Sequence, residues 1–559
     1  MADNKPKATS ITDDLSSQEA LMFPTLTIEQ INQIKPFGQL QSLAQGEVLF
    51  ERGERTVDFF VILEGYVEIY EYTTQGATTI TIHRTQQFTG ELDLFNNRKI
   101  LVGGRMGVDG QVIRLNRQQF RSLLAAEPII GEIITQAFIL RRRGLIVEKQ
   151  GSVTLITEQL RGNALRIERF LERNGYPLEV LLYNEERSQQ LLKDFEVSLE
   201  DLPVALIHDR KEIFKNPSNL DLATALGLVE EVDPTRVYDV AVIGAGPAGL
   251  SATVYATSEG LSTVLIESEA PGGQAGTSSK IENYLGFPLG ISGHSLAERA
   301  QIQAHKFGAT IALPYTVEAL HCDTRPYQIA LEGGKIINAN HIIITTGASY
   351  RKLNLENEAS LAGSGIYYAA TAMEGNLCHD EEVVVIGGGN SAGQAAVFLS
   401  RFARHVHILV RAESLSSSMS DYLIQRIIAA QKITLHTRTE VIALGGDKFL
   451  EQVVWQNRDT GKTEERAIRH LFLMIGAVPN TGWLQGCVEL DEQGFICTGA
   501  EVTDKSAFDR PLMMLETSVP GVFAAGDVRA GSIKRVASAV GEGAMAVSQL
   551  HQVLAASTP

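Results

Sequence analysis

The stretch YDVAVIGAGPAGLSATVYATSEGLSTVLIESE, residues 238–269, decides the fold of the second half of the chain. It reads as an apolar strand, a turn of the form Gly244-x-Gly246-x-x-Gly249, a helix, and a second apolar strand that ends at Glu267. The glycines of such a turn let a pyrophosphate approach the backbone, and the helix N-terminus faces the phosphates. An acidic residue about 20 positions further on suits the ribose hydroxyls. The stretch therefore predicts a βαβ unit that binds a dinucleotide.

A second fingerprint follows in EVVVIGGGNSAGQAAVFLSRFARHVHILVRAESLSSS, residues 382–418. The turn is Gly387-x-Gly389-x-x-Ala392, and Arg411 stands near the position that an acidic residue holds in the first unit. An arginine there suits a ribose with a 2′-phosphate, but a single arginine leaves NADPH and NADH both open. Two fingerprints predict an α/β fold with two Rossmann-like domains, in the usual order of flavin first and nicotinamide second.

Four further segments carry motifs of one flavoprotein family. They are GGQAGTSSKIENYLGFP (residues 272–288), IIITTGAS (342–349), FLMIGAVPNT (472–481) and TSVPGVFAAGDVRAGSIKRVASAVGEGAMAV (517–547). Together with the fingerprints, they make the chain from about residue 238 to residue 549 resemble the low-molecular-weight thioredoxin reductases. The resemblance implies a homodimer, with an FAD-binding domain at residues 237–350 and 481–555 and an NAD(P)-binding domain at 351–480 between them.

The resemblance also implies cofactor contacts at matching positions. Those expected at FAD are Gly244, Gly246, Pro247, Ala248, Gly249, Glu267, Gly273, Gln274, Asn283, Val317, Thr346, Gly347, Asp527, Arg535, Val536 and Ala537. Those expected at NAD(P)H are Gly387, Gly389, Asn390, Ser391, Ala392, Arg411, Ile475 and Gly476. In this scheme Asp527 binds the ribitol, and residues 535–537 lie along the flavin ring.

The segment IYYAATAMEGNLCHD, residues 366–380, departs from the family. Thioredoxin reductases carry a redox Cys-x-x-Cys here, and its cysteines would fall on Ala370 and Met373 in one register, or on Ala369 and Ala372 in the other. A thiolate is the nucleophile that passes electrons on to a protein disulfide, and neither alanine nor methionine supplies one. Reduction of thioredoxin through the family's internal relay is therefore excluded, and no catalytic residue is assigned.

The four cysteines of the chain, Cys322, Cys378, Cys487 and Cys497, are widely scattered, with neither a Cys-x-x-Cys nor a metal-ligand spacing. We expect each to be a small core residue and predict no metal site. Cys378 is the one candidate for a reactive thiol, with a buried or surface position as the alternative.

The first part of the chain alternates apolar and polar residues in short strands, as in GEVLFERGERTVDFFVILEGYVEIYE, residues 46–71. This pattern predicts an antiparallel β-roll. Residues 26–148 resemble a cyclic-nucleotide-binding domain, in which Glu91 could bind a ribose. Its phosphate-binding arginine is absent, because Ile100 or Val102 stands where that arginine is expected.

Arg98 and Arg105 flank that place at the wrong spacing. A cyclic phosphate without its arginine would be held poorly. We therefore favour a β-roll that serves dimer packing or docking over one that binds a cyclic nucleotide.

Residues 149–230 read as strand, helix, strand, helix, strand, strand, an order that resembles a small thioredoxin or glutaredoxin fold. Leu202-Pro203-Val204 matches the point where that fold usually has a cis proline. The expected Cys-x-x-Cys is replaced by EQLRGNA, residues 158–164, so dithiol chemistry is excluded here too.

A formal net charge of −17 disfavours binding to nucleic acid or anionic lipid, because phosphate recognition needs clustered lysine and arginine. Residues 1–25 read as a flexible tail without the charged-then-apolar order of a signal peptide, and no apolar run is long enough to span a bilayer. These features predict a cytoplasmic protein without a membrane partner.

The predicted function is an FAD-dependent oxidation of NADPH or NADH with an external electron acceptor. That acceptor is a disulfide, a quinone, an iron–sulfur protein or oxygen, and a redox protein is the partner to consider. The alternative from another class is a non-catalytic sensor, in which flavin and nicotinamide occupancy sets the orientation of the two N-terminal modules toward a partner. Measuring turnover with NADPH and candidate acceptors distinguishes the enzyme from the sensor.

Overall fold

The structure is a computed structural model. It describes residues 19–557 except residues 56, 74–75, 91–93, 95–98, 150–152, 161, 208–211, 231, 279–280, 282, 363, 369, 371, 417, 448 and 485. Among the described residues, no helix is both long and apolar enough to cross a membrane.

The N-terminal module is an antiparallel β-roll of two four-stranded sheets, followed by two helices. Its strands are β1 (Gln39–Leu43), β2 (Val48–Phe50), β3 (Phe59–Glu64), β4 (Tyr66–Thr73), β5 (Gly76–Arg84), β6 (Phe88–Thr89), β7 (Gly103–Met106) and β8 (Gly110–Leu115). Its helices are α1 (Glu19–Met22), α2 (Ile28–Ile34), α3 (Arg117–Ala126) and α4 (Pro128–Val147). The sheet orders are β1–β8–β3–β6 and β2–β7–β4–β5. This confirms the antiparallel β domain predicted from the alternating pattern.

Aromatic packing holds the long helix to the roll. Phe59 on β3 and Phe88 on β6 contact Phe138 of α4, and all three rings are fully buried. Aromatic side chains bury 150–250 Å² each, so such a cluster contributes strongly to the core. The roll and α4 therefore form one packed unit.

The second module is a mixed sheet of order β10–β9–β11–β12, with β9 and β10 parallel and β11 antiparallel to both of its neighbours. Its elements are β9 (Val153–Thr157), α5 (Asn163–Arg173), β10 (Leu178–Leu182), α6 (Glu186–Asp194), β11 (Val204–Ile207), β12 (Glu212–Lys215) and α7 (Asn219–Leu226). The Leu202–Pro203 peptide bond is cis. The resemblance of this module to a thioredoxin fold stays a prediction.

The part of the chain predicted to bind FAD, residues 237–350 and 481–555, is called the flavin half below. It is built on a seven-stranded sheet of order β15–β14–β13–β18–β17–β16, with β29 also paired to β18. Its strands are β13 (Val237–Ile243), β14 (Thr263–Ile266), β15 (Thr310–Ala312), β16 (Val317–His321), β17 (Tyr327–Leu331), β18 (Lys335–Ile344) and β29 (Val522–Ala524). Its helices are α8 (Pro247–Ser258), α9 (Gly293–Lys306) and α14 (Val536–Ser557). Strands β15, β14, β13, β18 and β29 run parallel, which explains why β13 reads as a nearly continuous apolar run.

The part predicted to bind NAD(P)H, residues 351–480, is called the nicotinamide half below. It has a parallel sheet of order β20–β27–β21–β22–β23 and an antiparallel sheet of order β24–β25–β26. Its strands are β20 (Ile366–Tyr367), β21 (Glu382–Ile386), β22 (His405–Leu409), β23 (Ile433–His436), β24 (Thr439–Gly445), β25 (Gln452–Asn457), β26 (Thr463–Arg466) and β27 (His470–Leu473). Its helices are α10 (Glu358–Leu361), α11 (Ala372–Leu377), α12 (Asn390–Leu399) and α13 (Asp421–Ala429). A separate two-stranded ladder, β19 (Ala348–Tyr350) with β28 (Ala477–Pro479), carries the chain into and out of this half. The two predicted dinucleotide-binding folds are thus present.

One apolar core continues from the β-roll through the second module into the flavin half. It includes Phe59 of the roll, Phe170 of α5 and Ile243 at the end of β13. Because the same core is shared, the N-terminal modules are packed against the flavin half along part of their length.

The expectation for the cysteines is wrong for one pair. Cys322 and Cys487 form a disulfide, with their Cα atoms 6.0 Å apart and a sequence separation of 165. Cys322 directly follows β16, and Cys487 lies in a turn after the chain has returned from the nicotinamide half. The pairing depends on that return, so the sequence spacing of the cysteines gave no sign of it. Cys378 and Cys497 are buried and free, as expected for small core residues.

Candidate functional site

The first glycine turn packs tightly on one side and is open on the other. A Cβ on Gly249 would lie 1.8 Å from the Gly244 carbonyl oxygen, so α8 begins in direct contact with the end of β13. A Cβ on Gly246, in contrast, would meet no heavy atom of the described residues within 4 Å. This open backbone at a helix N-terminus is the arrangement that a pyrophosphate needs. Pro247 and Ala248 are the first residues of that helix.

Glu267 lies beside this turn. Its carboxylate accepts hydrogen bonds from the backbone N–H of Ala245, at 2.8 Å, and of Glu269, at 2.9 Å. Burial raises the pKa of Glu267, while these two bonds favour the charged form. The position at the carboxyl end of β14 matches that of an acidic residue that binds ribose hydroxyls.

Residues 268–276, which we call the flavin loop, follow Glu267 and fold back onto the turn. The N–H of Gly272 donates to the Ala245 carbonyl at 2.7 Å. Gly273 has a φ of +54°, and a Cβ there would lie 3.0 Å from the Cα of Gly246. The side-chain amide of Gln274 donates to the Ala348 carbonyl. The loop therefore connects the glycine turn with the crossover strand β19.

Asp527 approaches the same turn from the closing motif. Gly526 has a φ of +77°, and a Cβ there would lie 3.1 Å from the Cβ of Ala248, so the motif packs on the first turn of α8. Burial raises the pKa of Asp527, opposed by the positive charge of Lys534. Tyr350 lies near enough that burial and the charge of Asp527 together raise its pKa to about 12.

The structure also describes other residues that the sequence predicts at FAD. Thr346 and Gly347 are tied to Asn480, whose side-chain amide donates to the Thr346 carbonyl at 2.8 Å and whose N–H donates to the Gly347 carbonyl at 3.0 Å. Asn480 was missed by sequence reasoning, although it lies inside the motif FLMIGAVPNT. Asn283 is exposed, and Val317 is the half-buried first residue of β16.

Arg535, Val536 and Ala537 lie at the start of α14, with Arg535 and Ala537 exposed. The N–H of Ala539 donates to the Arg535 carbonyl at 3.0 Å, so Arg535 is at the helix boundary. A flavin ring along this boundary would face accessible backbone and side chains.

The second glycine turn is covered by a serine-rich segment. The Ser418 hydroxyl donates to the Gly388 carbonyl at 2.8 Å, and the Ser420 N–H donates to the Asn390 side-chain oxygen at 2.8 Å. Gly389 precedes α12, which begins with Asn390, Ser391 and Ala392. Strand, turn and helix are therefore arranged as the fingerprint predicts.

Arg411 is exposed and lies two residues after Leu409, the last residue of β22. A second arginine is close in the fold, since the backbone N–H of Arg438 donates to the carbonyl of Ala412, the residue after Arg411, at 3.0 Å. The Arg438 guanidinium forms ion pairs with Glu413 and Asp459, which balance its charge. Arg438 was missed because 27 positions of chain separate it from Arg411.

Ile475 and Gly476 lie at the return to the flavin half. The Gly476 carbonyl accepts from the N–H of Arg351 at 3.0 Å, and the half-buried Ile475 packs against a core of the nicotinamide half. These two residues are therefore part of the connection between the halves.

Cys378 is fully buried, directly after α11. Burial raises the pKa of its thiol to about 12, and the nearby charges of Glu381 and Glu374 act in the same direction. Since reactivity depends on the thiolate, the structure favours the core alternative. Ala369 lies outside the described residues, and Ala370, Ala372 and Met373 lie at or just before the start of α11.

In the β-roll, Ile100 and Val102 are buried where a cyclic-nucleotide-binding domain needs its arginine. Arg105 pairs with Glu68 at 3.0 Å and lies over the ring of Tyr70. Glu91 and Arg98 lie outside the described residues. Among the described residues, no group of three or more His, Cys, Asp or Glu side chains is arranged to hold a metal ion.

Comparison with known proteins gives two family matches. The family described as pyridine nucleotide-disulphide oxidoreductase matches residues 238–543, and the cyclic nucleotide-binding domain matches residues 40–127. The chain is 34% identical to a thioredoxin reductase of Peptoclostridium litorale over 326 residues, which cover 57% of this chain and 98% of that protein. It is 37% identical to a thioredoxin reductase of Treponema pallidum (strain Nichols), over 55% of this chain and 94% of that one.

A longer relative is matched only in part. The chain is 34% identical to NADPH-dependent thioredoxin reductase 3 of Arabidopsis thaliana over 57% of its own length and 58% of that protein's. Among solved structures, thioredoxin reductase from Streptococcus pyogenes MGAS5005 is similar, with 31% identity, a TM-score of 0.51, and coverage of 57% of this chain and 99% of that one.

Proposed function

Since the chain belongs to the pyridine nucleotide-disulphide oxidoreductase family, we propose that it oxidises NADPH or NADH with bound FAD and delivers the electrons to an external acceptor without an internal Cys-x-x-Cys. The chain is a thioredoxin reductase-like, NAD(P)H-dependent flavoprotein oxidoreductase. One observation supports electron transfer without an internal relay. The segment before the second fingerprint lacks both cysteines of the Cys-x-x-Cys, and the nearest cysteine in the sequence, Cys378, is buried.

The first site fits FAD. The open backbone at Gly246 and the N-terminus of α8 would take the pyrophosphate, Glu267 the ribose hydroxyls, and Asp527 the ribitol. Thr346, Gly347 and the start of α14 would border the ring. When bound, FAD would supply the hydride chemistry, and the protein would supply binding and orientation.

The second site fits NAD(P)H by the same argument. Gly387, Gly389 and the first residues of α12 would hold its pyrophosphate. Arg411 is the group that would pair with a 2′-phosphate. Because Arg438 is already paired with Glu413 and Asp459, the preference for NADPH would rest on one arginine.

A redox protein is the acceptor class that the relatives favour, since the matching curated proteins are thioredoxin reductases. The other candidate acceptors are quinones, iron–sulfur proteins and oxygen.

A homodimer is the oligomer that the same resemblance favours. We propose the domain limits 26–148, 149–230, 237–350 with 481–555, and 351–480.

The test is anaerobic mixing of purified protein with NADPH or NADH, followed by each acceptor, with the visible absorbance of the flavin as the readout. Bleaching by the nucleotide and recovery with an acceptor support the proposal. Asp527→Ala, which removes the ribitol ligand, is the matched negative control. Nucleotide binding without bleaching would overturn the enzymatic proposal and support the sensor.

The sensor alternative has one specific observation in its favour, which is that both N-terminal modules contact the flavin half. Arg143 of α4 donates to the Ser295 hydroxyl at 2.7 Å, near the start of α9, and the core is continuous between them. For the β-roll itself we propose docking and packing, because apolar Ile100 and Val102 occupy the arginine position. Saturable binding of cyclic AMP or cyclic GMP in calorimetry would contradict this.

A further inference from the structure

The end of helix α5, in the second module, reaches the flavin loop. One Arg173 nitrogen pairs with the Glu269 carboxylate at 2.8 Å, and another donates to the carbonyls of Ala270, at 3.3 Å, and Gly273, at 3.2 Å. The next residue, Asn174, donates from its side-chain amide to the Glu269 carbonyl at 3.0 Å. Two consecutive residues of a module outside the family match therefore hold residues 269–273.

These contacts are more specific than an ordinary surface ion pair. A guanidinium presents several donors in a rigid plane, and here they engage one carboxylate and two carbonyls of the same short loop. The Arg173 side chain is 21% exposed, and Asn174 is 4% exposed. The Glu269 side chain is 63% exposed, so solvent weakens the ion pair itself, and the less exposed contacts to the loop carbonyls carry more of the interaction.

The loop held by Arg173 is the one that borders the first glycine turn. The N–H of Glu269 donates to Glu267, and the N–H of Gly272 donates to Ala245. Arg173 contacts the carbonyl of Gly273, and a Cβ on Gly273 would lie 3.0 Å from the Cα of Gly246, so a side chain there would crowd the glycine turn. A shift of residues 269–273 would therefore move both Glu267 and the backbone beside Gly246.

We propose that Arg173 is a positioning residue for FAD: from the second module it fixes the flavin loop, so that flavin affinity depends on the docked module. This inference rests on the proposed function in that FAD occupies the first fingerprint. It gives the module a role that needs no dithiol of its own, which agrees with the sequence EQLRGNA at its first strand end.

The charge of Arg173 supports this role. Burial raises the pKa of Glu267, and the positive charge of Arg173 is among the influences that oppose the rise. Arg173 thus adds to the hydrogen bonds from the Ala245 and Glu269 N–H groups, which favour the charged carboxylate of Glu267 more strongly.

The test compares four full-length proteins: wild type, Arg173→Ala, Arg173→Lys and the control Arg143→Ala. Arg143 also joins an N-terminal module to the flavin half, through Ser295, but it does not contact the flavin loop in any of its described hydrogen bonds. The Kd for FAD is measured by titrating flavin-free protein, and the release rate of FAD is measured by its fluorescence.

We expect Arg173→Ala to weaken FAD binding roughly ten- to a hundredfold, which is the range for lost hydrogen bonds to a charged group. The Kd of Arg173→Lys for FAD should lie between those of wild type and Arg173→Ala, because an ammonium can pair with Glu269 but cannot span the two carbonyls. Arg143→Ala should stay within about threefold of wild type, because its one partly buried hydrogen bond goes to Ser295, which lies outside the flavin loop. The Kd for NADPH should be unchanged in all four.

If Arg173→Ala binds FAD with the wild-type Kd, this inference is overturned and the proposed function is not affected. Equal weakening in Arg173→Ala and Arg143→Ala would also overturn it, because general docking would then explain the effect. If Arg173→Ala does not fold, Arg173→Lys decides by the same criterion. A wild-type protein that binds no FAD would overturn the proposed function and this inference together.

Discussion

His407 and His436 are in hydrogen-bond contact across two adjacent parallel strands, with 3.0 Å between Nδ1 of His407 and Nε2 of His436. Both rings lie against Trp455 of β25, so they sit between the two sheets of the nicotinamide half. His405, Glu382 and Arg466 surround the pair. His407 is buried and His436 is half-buried, and two imidazoles this close cannot both be charged without a large electrostatic cost.

The nicotinamide half should therefore lose stability in mild acid. Burial, and the charges of His436 and His405, lower the pKa of His407 from its ordinary value of 6.5 to about 4, while Glu382 opposes the shift. Because the unfolded chain binds this proton near pH 6.5 and the folded chain only near pH 4, stability falls as pH falls through that window. We expect a loss of about 2 kcal/mol between pH 7 and pH 5.

Urea unfolding of wild type and His407→Phe at the two pH values checks this. The variant should show a smaller difference between pH 7 and pH 5, and the exposed control His321→Gln should behave as wild type. Identical pH dependence in wild type and His407→Phe would contradict the assignment.

Gly246→Val should abolish most FAD binding while the protein still folds. A Cβ at Gly246 enters open space beside the helix N-terminus, where the pyrophosphate is proposed to bind. Gly249→Ala is the matched contrast, because its Cβ would lie 1.8 Å from a backbone oxygen. It should destabilise the fold by at least about 1–3 kcal/mol, the usual cost of overpacking.

Flavin content after purification and the thermal midpoint separate the two variants. Stoichiometric FAD in Gly246→Val would count against the site, as would stoichiometric FAD in Asp527→Ala.

Two of the four cysteines should react with a thiol reagent in denaturant without reductant, and all four after reduction. Breaking the Cys322–Cys487 bond frees a long loop in the unfolded chain, so Cys322→Ser should lower the free energy of unfolding by about 2–4 kcal/mol. Cys497→Ser, which removes a free thiol, is the control. Four reactive thiols before reduction would show that the pair is not oxidised in solution.

Thioredoxin disulfide should not be reduced with NADPH at a useful rate. The chain has no Cys-x-x-Cys, and burial keeps Cys378 protonated with a pKa of about 12. The measurement is NADPH oxidation coupled to thioredoxin, in wild type and Cys378→Ser. Robust turnover abolished by Cys378→Ser would assign the relay to that cysteine, and turnover abolished by Cys322→Ser would assign it to the disulfide.

Arg411→Ala should weaken NADPH roughly tenfold and leave NADH nearly unchanged, since one charge-assisted contact to the 2′-phosphate is lost. The concentration dependence of flavin reduction gives both affinities. If Arg411→Ala loses affinity for both nucleotides equally, Arg411 has a structural role. A wild-type protein that prefers NADH would contradict the assignment of Arg411 to the 2′-phosphate.

The sequence was informative where a local pattern carries the structure. Strand β13, the turn at Gly244 to Gly249 and helix α8 are consecutive, so their order could be predicted from one short stretch. The contact of Arg173 with Gly273 could not, because it joins two modules 100 positions apart and an arginine at a helix end has many possible roles. The disulfide between Cys322 and Cys487 was hidden for the same reason.

The ladder of β19 and β28 has a practical consequence for protein engineering. Tyr350 stands opposite Ala477 in that ladder, so the chain leaves for the nicotinamide half and returns from it at directly paired positions. The nicotinamide half is thus an insertion whose two ends lie next to each other on paired antiparallel strands. Replacing residues 351–476 with a short glycine-containing turn would join these strands as a hairpin and yield a shortened protein carrying a single nucleotide fold.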